Sequence, residues 1–394
     1  MNKKEWGQFF TTNADNIFKG LERFVKNKNV TDPFSGSGDL LMWAKKNKAE
    51  TVKGYDVDPD QLKLKKKLIT FNDSILTPRD YEFVVTNPPY LNINKASKKT
   101  KDKYFSGDHF EDLYQTSLAS IMNSEEGIVI VPINFLSAEN SAKIRKIFFD
   151  RFRIVKMNYF TKRVFLDTTY NVIAFYYKKN HKPIDSFNIK TTIFPENKKI
   201  TIFLQRKYDW TIGDDIIRNI KYQDNFLGIY RLTEEHLVQN PGPIKISTAY
   251  NHINNKEKAT VSKKLFDNIK SNIIFLRAID SGSEKGKIKL EDIRNYKLDC
   301  LVSKESSRHM IHLIFTQSVS IENQEKIIKI FNSMINDLRS KYLSLFMTNF
   351  RDNGRKRISF DFVYKMINYI YQKDVNPKYS VQSKFNLQDN FITT

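Results

Sequence analysis

Val84-Val85-Thr86-Asn87-Pro88-Pro89-Tyr90 sets the reading of this chain. Two valines and a threonine end a buried strand. Two prolines then stop it, because neither has an N–H to donate and both fix φ. The product is a rigid turn at the C-terminal edge of a sheet, where open α/β sheets bind ligands. The turn offers the Asn87 amide, the Pro88 carbonyl pinned by Pro89, and the Tyr90 ring. Those groups suit a planar base with an exocyclic amino group. Oxygens accept its hydrogens and the ring stacks on its face. The same tetrapeptide also occurs as a plain strand-capping turn, so its neighbours must discriminate.

Upstream, three carboxylates stand at successive strand ends. Asn29-Val30-Thr31-Asp32-Pro33-Phe34 is a short strand, followed by Ser35-Gly36-Ser37-Gly38 and a helix from Asp39 to about Asn47. Glycines let backbone approach a ligand, and helix N–H groups point at it. A carboxylate at Asp32 would meet the ammonium end of an amino-acid ligand. The strand 51–58 carries Asp56, placed to accept both ribose hydroxyls. The strand 69–75 carries Asp73, placed to accept the amino group of an adenine. Singly, each carboxylate is most simply a turn or cap residue. Their succession points to a nucleoside-bearing ligand.

The rest of the first half alternates strand and helix. A helix is predicted from Asn13 to about Val25, and another after Asp58-Pro59 with Leu62, Leu64 and Leu68. Residues 91–107, with Lys98 and Lys99 among five lysines, read as a mobile basic loop beside the site. Strands follow at 127–132, 153–160 and 171–177. This implies a doubly wound, Rossmann-like α/β sheet. The polar break Lys178-Lys179-Asn180-His181-Lys182-Pro183 places a boundary near 180, giving domains 1–180 and 181–394. Beyond it the alternation fails, so a mixed α+β domain is expected. Long helices are predicted at 321–347 and 360–372, joined by a basic loop containing Arg355, Lys356 and Arg357. That loop could contact phosphates, and it could equally be a solvated connection.

The chain has 394 residues and a formal charge of +21, from 65 basic and 44 acidic residues. This excess favours a polyanionic partner, nucleic acid first. A single cysteine, Cys300, excludes an internal disulfide and a cysteine-based zinc site, and fits the cytoplasm. No apolar run approaches the ~20 residues of a membrane span. No basic amphipathic helix with a clean apolar face argues for a membrane surface.

Together the motifs resemble the N6-adenine DNA methyltransferases of bacterial restriction–modification systems, in which cofactor motifs precede the catalytic motif and the target recognition domain is C-terminal. Gly7-Gln8-Phe9-Phe10-Thr11-Thr12 resembles their N-terminal cofactor motif, although Thr12 stands where proline is usual. The resemblance covers residues 7 to about 177. It implies S-adenosylmethionine as cofactor, held by Phe10, Thr11, Thr12, Asp32, Pro33, Ser35, Gly36, Gly38, Asp56, Val57, Asp73, Ser74 and Asn87. It implies Asn87, Pro88, Pro89 and Tyr90 as the catalytic tetrapeptide, with Tyr90 and Phe165 stacking on a flipped adenine. Double-stranded DNA is the implied substrate, contacted by Lys98, Lys99, Arg355, Lys356 and Arg357. A monomer acting beside a separate restriction endonuclease is expected. The chemistry as read requires no metal.

Other readings stay open on the sequence. An rRNA or protein-glutamine methyltransferase shares the tetrapeptide, since a guanine or amide NH₂ poses the same problem. A non-catalytic DNA-binding protein on this scaffold is a second. A fused nuclease built on Asp185, Glu196 and Lys198 is a third. His309 and His312 are candidate metal ligands, with a structural role as the simpler reading.

Overall fold

The computed structural model describes residues 11, 13–60, 67–107, 110–162, 164–165, 171–280, 286–305, 309–342, 350–351 and 355–377. The chain divides into two compact units, Met1–Asp214 with Phe350–Gly354, and Asp215–Asn349 with Arg355–Thr394.

The first unit is built on one nine-stranded sheet. Its strands are β1 (Asn29–Asp32), β2 (Thr51–Asp56), β3 (Ile69–Phe71), β4 (Tyr81–Thr86), β5 (Ser124–Pro132), β6 (Phe152–Phe160), β7 (Val172–Lys179), β8 (Ser186–Phe194) and β9 (Lys198–Gln205), in the order β3-β2-β1-β4-β5-β7-β6-β8-β9. Strands β1 to β5 run parallel, and β7 runs antiparallel between β5 and β6. In β4 and β5 nearly every residue is buried, as expected of strands covered on both faces. The chain order reverses between β1 and β4, since β1 pairs with β2 on one side and β4 on the other. That reversal opens a crevice above their C-terminal ends.

Helix α1 (Ala14–Ile17) precedes β1, and helices α2 (Asp39–Lys46), α3 (Lys98–Tyr104), α4 (Leu113–Ser120), α5 (Asn134–Ser137) and α6 (Ala142–Arg151) lie between the strands in sequence. The Rossmann-like expectation therefore holds, as a mixed sheet.

Four expectations need correction. The boundary at 180 falls inside the sheet, because β8 pairs parallel with β6 and β9 pairs with β8. The helix predicted through Val25 is broken: Gly20 has φ +82° and only one further turn, Glu22–Phe24, follows. Ile17, Phe18, Leu21 and Val25 are nevertheless all buried. The basic loop 91–107 contains α3, capped where Ser97 Oγ accepts the Thr100 N–H at 3.2 Å. The basic loop at 355–357 is a short strand, Arg355–Arg357, antiparallel to Ile279–Asp280. Most of the helix predicted after Pro59 lies outside the described residues.

The second unit holds a four-stranded sheet (Tyr230–Arg231, Met310–Ile314, Ile274–Arg277, Lys289–Asp292) and a three-stranded one (Lys256–Val261, Ile244–Tyr250, Cys300–Val302). Helices Ile321–Tyr342 and Phe360–Ile370 accompany them, in accord with a mixed α+β unit.

Two minor candidates also resolve. Asp185 and Glu196 lie at opposite ends of β8, and Asp185 pairs with Arg206 at 3.3 Å, so no carboxylate–lysine set forms there. His312 is fully buried. Its Nε2 lies 2.8 Å from the Asn272 carbonyl oxygen and its Nδ1 accepts the Leu301 N–H at 3.3 Å. Burial pulls its pKa down to about 4, so it is a neutral core group. Among the described residues no cluster of three His, Cys, Asp or Glu could hold a metal ion, and no helix is long and apolar enough to cross a membrane.

Candidate active site

The site begins where β1 stops at Asp32. The loop after it needs left-handed backbone, and Gly36 (φ +46°) and Gly38 (φ +77°) supply it. Gly38 is the N-cap of α2. The loop lies tight against β2: Ser35 N–H and Ser35 Oγ both reach the Tyr55 carbonyl oxygen, at 2.9 and 2.8 Å. A side chain at Gly54 would meet Ser35 Oγ at 2.6 Å, so that approach depends on glycine. Asp56 ties the loop down further. Its Oδ2 accepts the Gly36 N–H at 2.7 Å and its Oδ1 the Asp58 N–H at 2.8 Å.

Asp32 is 1% exposed. Its Oδ1 accepts from Thr86 Oγ1 at 2.7 Å and from the Phe34 N–H at 3.0 Å. Burial nevertheless dominates and pushes its carboxyl up to about 7, with the Asp56 charge adding to the rise. Burial also raises Asp56. Two buried acids that resist ionisation favour a cationic or hydroxyl-bearing ligand.

The sign of the Asp32 effect on stability can be worked out. The native chain keeps a proton that the unfolded chain releases near 3.8. Stability is therefore lost as pH rises from about 4 to about 7, and is level above that. Asp32→Asn should remove this loss. Thermal melts at about pH 5.5 and about pH 8 check it: the variant should gain at least ~2 °C on wild type at the higher pH and less at the lower. An equal shift at both would place the carboxyl's ionisation outside this window.

The other end of the site is formed after β3. Asn72 is buried, donating to Ser74 Oγ (3.0 Å) and the Thr77 carbonyl (3.1 Å). Asp73 Oδ2 accepts from Lys103 Nζ at 2.7 Å and Tyr104 Oη at 3.0 Å. A cleft of about 630 Å³ runs over these groups, lined by Pro33, Phe34, Gly36, Asp56, Val57, Asn72, Asp73, Ser74, Ile75, Asn87, Pro89, Tyr104 and Leu113. A second hollow of about 250 Å³ is lined by Thr11, Asp32, Phe34, Ser35, Gly36, Ser37, Asp39, Leu40 and Asn87. The two share Phe34, Gly36 and Asn87, so Asn87 stands where they meet.

The Asn87 amide is gripped from both ends. Its Nδ2 donates to Thr11 Oγ1 at 3.1 Å, and its Oδ1 accepts from the Tyr90 hydroxyl at 2.6 Å. The Tyr90 hydroxyl also lies 2.9 Å from the Ile130 carbonyl oxygen of β5. One phenolic hydrogen serves one of these acceptors at a time. The Tyr90 ring is 6% exposed and meets Tyr114 edge-on, centroids 6.3 Å apart. Burial holds its hydroxyl well above the usual tyrosine range, hence protonated.

The fold thus gathers Thr11, Asp32, Pro33, Ser35, Gly36, Asp56, Val57, Asp73, Ser74, Asn87 and Pro89 around one cleft. Gly38 caps the helix behind it, and Tyr90 sits beneath Asn87. Phe165 is buried and is not among the cleft-lining residues. Lys98 and Lys99 are exposed on α3. Arg355 to Arg357 belong to the second unit. Phe10 and Thr12 lie outside the described residues. Not expected as site residues were Asn72, Ile75, Thr86 and Leu113; the sequence places Phe34 only within the glycine-loop stretch, and Lys103 and Tyr104 only within the basic loop beside the site. Thr86, as the last residue of β4, was open to inference from its place beside Asn87. Lys103 was hidden in a lysine run.

Residues 8–165 match the Eco57I restriction-modification methylase family. This stretch is similar to a restriction-modification methylase domain. The matched stretch contains both hollows and the whole of Asn87 to Tyr90. No curated protein matches the chain. Among solved structures, the chain is similar to a type I restriction-modification methyltransferase subunit from Streptococcus thermophilus (18% identity, TM-score 0.37, 50% of this chain and 51% of that one). It is similar also to the M protein of the type I restriction enzyme EcoKI (12%, TM-score 0.32, 42% and 44%). A third is the type IIG restriction endonuclease BpuSI (10%, TM-score 0.43, 87% and 56%). The chain spans about half the length of the type I subunits it resembles.

Proposed function

We propose that this chain transfers a methyl group from S-adenosylmethionine to the N6 amino group of adenine within a specific double-stranded DNA sequence, with the base flipped out of the helix. The observation that carries the reading is the position of Asn87, at the junction of two hollows, one beside Asp32 and one beside Asp56 and Asp73.

The residues fit the cofactor. Asp32, buried and reluctant to ionise, gains by meeting an ammonium group. Asp56 can accept ribose hydroxyls while its remaining lone pairs hold the glycine loop. Asp73, Asn72 and Val57 would hold the base. When bound, S-adenosylmethionine supplies an electrophilic methyl carbon.

The chain's task is to aim a poor nucleophile. An adenine amino nitrogen has its lone pair delocalised into the ring. Asn87 Oδ1 and the Pro88 carbonyl accept its two hydrogens and favour pyramidal nitrogen as the bond forms. Tyr90 supports the Asn87 amide from below and supplies an aromatic face to the base. The excess positive charge attracts the DNA, with Lys98, Lys99 and the Arg355–Arg357 strand as contacts and the second unit as target reader. A restriction endonuclease acting separately on the same sequence, inside the cell, completes the reading.

Methylation-aware sequencing of DNA from cells producing the chain tests this. N6-methyladenine at one defined sequence is expected, and none in cells producing the Asn87→Ala variant. Modification confined to RNA or protein would overturn the DNA assignment.

A further inference from the structure

Asp73 is held in a way the proposed chemistry does not demand. Its Oδ1 accepts the Leu76 N–H at 3.3 Å, and its Oδ2 accepts from Lys103 Nζ at 2.7 Å and Tyr104 Oη at 3.0 Å. A carboxylate has roughly four lone-pair directions. Among the described residues three are taken, and the one left belongs to Oδ1. The Asp73 side chain is 13% exposed and that of Lys103 36%, so the carboxylate is largely withdrawn from water while the ammonium still reaches solvent, and two donors converge on one carboxylate oxygen.

Both donors come from α3, which is itself fixed. Ser97 caps its start, and Tyr104 and Phe105 pack into an apolar cluster with Leu91, Ala96 and Leu113. Tyr104 and Asp73 line the same cleft. The lysine is thus more than a member of a solvated basic run: Lys98 and Lys99 are exposed, while the Lys103 ammonium pairs with Asp73, a residue of the cleft lining.

We infer that Lys103 and Tyr104 are positioning residues that aim the remaining Asp73 lone pair at the amino group of the cofactor's base, and so set selectivity for adenine over a 6-oxo purine. The inference rests on the S-adenosylmethionine reading above. The physics is an acceptor facing a donor. With adenine, an N–H meets the carboxylate oxygen. With hypoxanthine, a carbonyl oxygen takes its place, and two acceptors face each other in a poorly hydrated pocket. Discrimination depends on Asp73 being unable to swing aside. Lys103 and Tyr104 supply that restraint.

Titration calorimetry on the full chain tests it with two ligands, S-adenosylhomocysteine and S-inosylhomocysteine. Wild type should bind the adenine compound more tightly. Lys103→Met keeps the aliphatic stem and removes the ammonium, and the preference should shrink by about tenfold, through weaker adenine and unchanged or tighter hypoxanthine binding. Tyr104→Phe, which retains the packed ring, should shrink it by a smaller factor. Lys95→Met, at an exposed site outside the cleft, should keep the wild-type ratio. If Lys103→Met and Tyr104→Phe both keep that ratio, or lose both ligands in equal proportion, the positioning role is overturned. If wild type binds neither compound, the cofactor reading itself fails, an outcome distinct from the other.

Discussion

Asn87→Ala is expected to lower the rate of methyl transfer by about 10²–10³-fold, with binding of S-adenosylmethionine and of DNA changed by no more than about threefold. The asymmetry follows from when the amide acts. In the ground state an adenine amino group is flat and weakly basic, and one acceptor more or less changes its binding little. As the nitrogen becomes pyramidal its hydrogens grow more acidic and the acceptor gains strength, so the loss falls on turnover. The variant should fold. Tyr90, deprived of Asn87 Oδ1, still has the Ile130 carbonyl 2.9 Å away as acceptor. Asn87→Asp retains an oxygen at the same place and should recover part of the rate. Single-turnover methylation with tritiated cofactor measures it. A normal rate for Asn87→Ala would remove this turn from the active site altogether.

Tyr90→Ala and Tyr90→Phe separate the ring from the hydroxyl. The ring is buried against Tyr114, and deleting it leaves a cavity that costs about 3–5 kcal/mol. It also removes the face on which the base would stack, worth about 1–3 kcal/mol. Tyr90→Ala should therefore melt several degrees lower and methylate at least about 100-fold more slowly. Tyr90→Phe keeps both ring functions and loses the hydroxyl that donates to Asn87 Oδ1 or the Ile130 carbonyl. A hydrogen bond of this kind is worth about 1 kcal/mol net, so the rate should fall roughly five- to tenfold, with most activity relative to Tyr90→Ala preserved. A 2-aminopurine at the target position reports stacking directly, since a base against an aromatic ring is quenched. Equal inactivity of the two variants would make the hydroxyl, and not the ring, the essential part.

What the sequence made legible was what local chemistry dictates. Asp32 and Asn87 could be read because each closes a β-branched run, and Asp56 because it ends the next strand after the glycine loop and its helix; the cleft lies where these strands end. Asp73 follows β3 in the same manner. The direction of β7 was beyond reach, because Val172 to Tyr177 are all buried and periodicity carries no sense of parallel or antiparallel. Helix α3 was misread for a different reason. Ser97 to Tyr104 shows no apolar period, and its helix rests on one cap and two aromatic residues docking elsewhere. The Lys103–Asp73 contact joins residues thirty positions apart, which no local pattern announces. The boundary at 180 failed although a signal existed. Phe187, Ile189, Thr191 and Ile193 alternate as one buried face of β8, but the polar stretch before them outweighed that alternation.

That last strand has a practical consequence for dissecting the protein. A fragment ended at the polar break would leave β6 bare along Lys156 to Phe160, where β8 now pairs with it. Met157 and Tyr159, fully buried in the chain, flank that exposed ladder. Arg145 would lose Asp209 and Thr211, whose oxygens it holds, and Phe149 would lose Phe187 and Trp210. An unpaired apolar rim of this kind recruits a strand from another molecule. Such a fragment would self-associate for want of its own final hairpin, and its inactivity would say nothing about catalysis. A catalytic piece that stays monomeric must run at least to Asp214.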